Sequence, residues 1–128
     1  MSMSISSFSV ICLCADWCDT CRNYRPGFER ISVLFPDTIF VWLDIEDIAD
    51  ALGNTDIESF PTLIINRGEL VLYYGVMLPY PEHLARVLES FRAQDDEESR
   101  RYVKSEAQRR HWQDDQDLKG LLDRCTNK

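Results

Sequence analysis

No apolar run in this 128-residue sequence comes near the roughly 20 residues that cross a bilayer. Runs such as Thr38–Leu43 and Thr62–Ile65 are short, which excludes a membrane-spanning helix and leaves no basis for a membrane partner. Lys and Arg are absent from Met1–Ser9, so the charged start of a secretory signal is missing and a cytoplasmic location is expected. Histidine is scarce. His83 and His111 both sit among polar, helix-forming residues, which disfavours a Cys-His hydrolase. No internal repeat is present.

The composition is that of an ordinary soluble globular chain, with 45% hydrophobic and 28% charged residues, and 14.9 kDa allows one full core with an appendage. The formal charge of -8 is unevenly placed. Residues 1–91 carry 5 basic and 13 acidic side chains, whereas residues 92–128 carry 9 of each. The division predicts a domain over 1–91 and a charged C-terminal extension over 92–128. An acidic domain repels phosphate backbones and anionic lipid, so nucleic acid is not an expected partner, and the surface suits solubility or a basic protein.

Ser9–Leu13 reads as a buried strand leading into a cysteine-rich loop. Tyr24, Phe28, Ile31 and Phe35 then recur at helical spacing, with Pro26 predicting a kink near Arg22–Arg25. Ile39–Leu43 is a second strand, Ile48–Leu52 a short helix ending at Gly53, and Thr62–Ile65 and Leu70–Tyr74 two strands around an Asn66–Gly68 turn. Pro81 opens a helix with Leu84, Val87, Leu88 and Phe91 on one face. The order β-α-β-α-β-β-α implies an α/β fold with a central mixed sheet of about four strands flanked by helices. Beyond it, the acid-before-base pairs Asp96/Arg100, Glu97/Arg101, Glu106/Arg110 and Asp115/Lys119 predict a helical tail. Leu118, Leu121, Leu122 and Cys125 give that tail an apolar patch that suits docking on the domain or on a partner.

Four of the five cysteines crowd into Cys12, Cys14, Cys18 and Cys21, unlike the spread-out framework of a disulfide-stapled secreted domain. Cys18 and Cys21 form a C-x-x-C where a strand ends and a helix begins. Unpaired N–H groups at a helix start stabilise an anion, which makes Cys18 the expected nucleophile. Cys21, one turn further in, is placed to attack a mixed disulfide on Cys18 and release reduced product. Asp19 works against the thiolate, whereas Arg22 favours it. Two thiols so spaced exchange two electrons without a metal or organic cofactor.

The run Ala15–Cys21 (AxWCxxC), Pro26 five residues after the second cysteine, Phe60-Pro61-Thr62, the Gly68 turn and Gly75 together resemble the thioredoxin family over roughly residues 8–91. The resemblance implies a thioredoxin-like fold and a thiol–disulfide oxidoreductase that serves electron transport to or from protein substrates, with a thioredoxin-reductase-type donor. It further implies a cis bond at Phe60–Pro61 beside the cysteines, a substrate segment paired against Phe60, Pro61 and Thr62, and Trp17 shielding the thiolate and touching substrate. The departures are specific. Ungapped counting puts Cys12 and Trp42 where the family carries a buried Asp and Lys that handle protons, and Cys14 where it carries a tryptophan. Only 17 residues precede Cys18, so the opening strand and helix of that fold are expected to be missing, leaving a core closer to that of glutaredoxins. Arg22 and Arg25 alone make no anion site for glutathione, and a glutathione-dependent role is not expected.

The cysteines have other readings. Cys18 and Cys21 are also half of a zinc site that Cys12 and Cys14 complete, although the helix-start context favours redox chemistry with no metal. Cys12 reads as a small buried hydrophobe, Cys14 as that or a second, regulatory thiol, and Cys125 as a peripheral packing thiol. The rival function is a non-catalytic module that keeps the fold and grips another protein through its acidic surface and tail.

Overall fold

The computed structural model describes residues 7–47 and 60–126. Four strands, β1 (Phe8–Cys14), β2 (Thr38–Asp44), β3 (Thr62–Arg67) and β4 (Leu70–Val76), form one sheet in the order β2-β1-β3-β4. β1 and β2 run parallel, which requires a crossover, and α1 (Asp19–Leu34) supplies it. β3 lies antiparallel to both β1 and β4. The remaining described helices are α2 (Pro81–Arg92), α3 (Asp96–Lys104), α4 (Ala107–Asp114) and α5 (Gln116–Thr126). The architecture is thioredoxin-like, a four-stranded mixed sheet flanked by helices. The helix expected at Ile48–Leu52 lies outside the described residues.

Strand alternation divides the sheet into two faces. On one, Phe8, Val10, Cys12 and Cys14 of β1 join Leu63 and Ile65 of β3 and Leu72 of β4. Onto these pack Cys21, Tyr24, Phe28 and Ile31 of α1 and Leu84, Leu88 and Phe91 of α2. Gly27 lets the two helices meet there, since a Cβ at that position would collide with the Pro81 ring. α1 runs through Pro26 as one 16-residue helix.

The other face carries Ile11 and Leu13 of β1, Ile64 of β3 and Val71 of β4. The C-terminal extension covers it with Trp112 of α4 and Leu118, Leu121 and Leu122 of α5, so the tail's apolar patch docks on its own domain. Burying each such leucine contributes about 1.5–3 kcal/mol. A helical tail was expected, and it folds as three helices so that it can turn back over the sheet. Asp95 and Glu98 start α3 with a reciprocal capping box, each side chain accepting from the other's backbone N–H at 2.8 Å. Asp115 accepts from Leu118 N at 3.0 Å at the start of α5.

The tail also reassigns charges. Glu97 meets Arg101 at 3.4 Å as its spacing predicts, whereas Asp96 reaches the buried Arg67 at 2.9 Å and Glu106 meets Arg109 at 3.8 Å. Arg67 further donates to Gln94 O and Ser99 Oγ, both at 2.9 Å, and its guanidinium stacks 5.0 Å from the Phe8 ring centre. Held this way, Arg67 extends β3 beyond Ile65, and the hairpin turns at Gly68, whose φ of 57° suits glycine.

Candidate functional site

The site forms where the carboxyl end of β1 meets the start of α1. Alternation along β1 turns Cys12 and Cys14 together toward α1, and their sulfurs lie 3.7 Å apart. Cys21 belongs to the buried stripe of α1 and faces them. A disulfide joins Cys14 to Cys21, with the two Cα atoms 5.8 Å apart and both residues 1% exposed. Cys12 and Cys18 are free thiols. The bond expected within the C-x-x-C, between Cys18 and Cys21, is therefore not the one formed. Sequence spacing alone missed Cys14 as a partner, although the i, i+2 cysteines on a buried strand and a cysteine on the facing helical stripe were the available signal.

Cys18 is the N-cap of α1 and only partly covered, so it stands at the rim while Cys21 lies inside. Its N–H donates to Ala15 O at 3.0 Å, which closes the loop that carries Trp17. No side-chain hydrogen bond from Cys18 caps the helix, and its sulfur is a free thiol. Asp44, at the end of β2, ties the loop down by accepting from Asp16 N at 3.1 Å and from Glu46 N at 2.8 Å. Arg22 pairs with Asp19 and donates to Asp16 O at 2.7 Å. The two charges beside Cys18, Asp19 and Arg22, thus pair with each other.

A hydrogen bond to Asp44, and then the charges of Asp44 and Asp47, hold the Asp16 carboxyl above the usual carboxylate range. Burial pushes the Cys12 thiol far up and keeps it protonated. In register, Cys12 of β1 stands beside Trp42 of β2, and neither can carry a buried ion pair. Trp42 packs instead among Tyr24, Phe28 and the Arg25 guanidinium. Among the described residues no three Cys, His, Asp or Glu side chains converge as a metal-binding set.

The Phe60–Pro61 peptide bond is cis. Thr62 pairs with Leu13, so continuing the register by one step sets Pro61 opposite Cys14, beside the cluster. Pro61 O accepts from Met77 N at 3.2 Å. Phe60 meets Trp17 edge-on, with ring centres 5.7 Å apart. Trp17 at this corner remains 63% exposed. The structure thus brings Cys18, Cys21, Trp17, Phe60, Pro61 and Thr62 to one end of the sheet.

Residues 3–78 match the sequence model of the thioredoxin family, described as Thioredoxin. The chain belongs to the thioredoxin family. Among thioredoxins, it is 36% identical over 50 residues to Thioredoxin H5 of Oryza sativa subsp. japonica, a match covering 39% of this chain and 37% of that one. It is 32% identical over 54 residues to Thioredoxin-2 of Saccharomyces cerevisiae, covering 42% of this chain and 52% of that one. The chain thus spans about half or less of the length of these relatives. The crystal structure of thioredoxin from Trypanosoma brucei brucei superposes with a TM-score of 0.60 at 26% identity, over 70% of this chain and 78% of that one.

Proposed function

We propose that this thioredoxin-family protein is a thiol–disulfide oxidoreductase acting on protein disulfides or dithiols, with Cys18 attacking and Cys21 resolving. One observation carries the reading. A thiol at a helix N-terminus stands at the rim of a site whose next sulfur inward already takes part in a disulfide. Cys18 attacks one substrate sulfur and releases the other, and Cys21 then attacks Cys18 and frees the remaining substrate thiol. The corner formed by Phe60, Pro61 and Thr62 receives an extended substrate segment, with Trp17 covering the reacting sulfurs. A dithiol donor of the thioredoxin-reductase type restores the reduced form.

Stopped-flow reduction of a protein disulfide tests this. Turnover disappears in Cys18→Ser, and Cys21→Ser accumulates a mixed disulfide on Cys18. Unchanged turnover in both variants rules the mechanism out.

A further inference from the structure

The mechanism just described uses two cysteines, whereas the structure places four sulfurs at the site and closes the bond between one that the mechanism uses and one that it does not. Cys21 is the sulfur shared by both arrangements. It lies one helical turn from Cys18 along α1 and is bonded to Cys14 across the strand–helix contact. Exposure differs sharply among them. Cys14 and Cys21 are 1% exposed, so an external sulfur has no line of attack on them, while Cys18 at the rim is open to one.

We propose that Cys14 is a second resolving thiol, so that Cys18, Cys21 and Cys14 form a relay that moves the disulfide from the rim into the core. The relay rests on the oxidoreductase reading above and adds where the oxidising equivalent comes to rest. Its first two steps convert a substrate disulfide into two substrate thiols and the Cys18–Cys21 disulfide. In the third, the Cys14 thiolate attacks Cys21 Sγ, the Cys14–Cys21 bond forms, the Cys18–Cys21 bond breaks, and Cys18 leaves as a thiolate that takes up the proton Cys14 gave away. Overall the substrate gains two electrons and the Cys14/Cys21 dithiol loses them. Reduction runs the same path backwards, with an external dithiol entering at Cys18. Cys12 stays a protonated thiol 3.7 Å from Cys14, placed to donate an S–H to that sulfur when it is released.

The relay has a signature that a two-cysteine motif lacks, because the fully oxidised chain keeps a free, reachable thiol at Cys18. The test treats the reduced full chain with one equivalent of a peptide disulfide, quenches it in acid at successive times, alkylates it, and maps the linkages by mass spectrometry. A Cys18–Cys21 linkage rises first and then gives way to Cys14–Cys21 with Cys18 alkylated. Cys14→Ala, and the closer isostere Cys14→Ser, stop at Cys18–Cys21. Cys18→Ser slows oxidation by on the order of 100-fold, since the buried pair has lost its entry point. A wild-type chain that ends at Cys18–Cys21 with Cys14 alkylated overturns the relay and leaves the oxidoreductase standing, as does Cys18→Ser forming Cys14–Cys21 at the wild-type rate while wild type still exchanges through Cys18. Failure of wild type and every variant to exchange with the peptide disulfide overturns both.

Discussion

Gln113 of α4 grips both backbone groups of Val71 on the edge strand β4. Its Oε1 accepts from Val71 N at 2.9 Å and its Nε2 donates to Val71 O at 2.8 Å. The amide thereby stands in for a neighbouring strand and ties the extension to an otherwise open sheet edge. Gln113→Ala removes the partners of the Val71 N–H and C=O and is expected to destabilise the fold by about 1–3 kcal/mol, read as a lower urea midpoint at constant slope. Faster amide exchange at Val71 is the accompanying sign.

Arg67 is the second tie between sheet and tail. Truncating it removes a partner from each of Gln94, Ser99 and Asp96 at once and leaves the Phe8 ring with Arg92 as its remaining cation. Arg67→Ala is expected to cost about 3 kcal/mol, with α3 becoming the first site of limited proteolysis. Unaltered cleavage of the tail would show that the leucines of α5 hold it without Arg67.

The approach of α1 to α2 at Gly27 and Pro81 is equally testable. Gly27→Ala forces a methyl against the Pro81 ring, with an expected loss of about 1–3 kcal/mol in thermal or urea unfolding. Pro81→Ala restores room, so the double variant should be less destabilised than the two single effects summed. Strict additivity would locate the cost elsewhere.

Asp16 supplies a pH test. Its carboxyl is raised in the folded chain, first by the hydrogen bond to Asp44 and then by charge, so protonation favours the native loop. That contribution is fully present below the unfolded carboxylate pKa of about 3.9 and is lost as pH rises through the raised native value. Asp44→Asn should bring Asp16 back toward the ordinary range in a carboxyl-detected NMR titration. An unmoved Asp16 would mean that Asp44 is not the cause.

What the sequence determined by itself was local. Alternation marked the strands, the Tyr24, Phe28 and Ile31 stripe marked α1, and the strand-to-helix boundary put Cys18 at a helix start, because such features depend on residues within a turn or two of one another. The apolar residues 118, 121 and 122 announced a docking face but not its target, which needed an uncovered sheet face far away in the chain. Only tertiary structure decided that Cys21 bonds to Cys14 rather than to Cys18, since that contact depends on how α1 seats on β1 and not on spacing along the chain. Packing likewise gave Asp96 to Arg67 in place of Arg100, because a buried guanidinium needs a counter-charge more than an exposed one does.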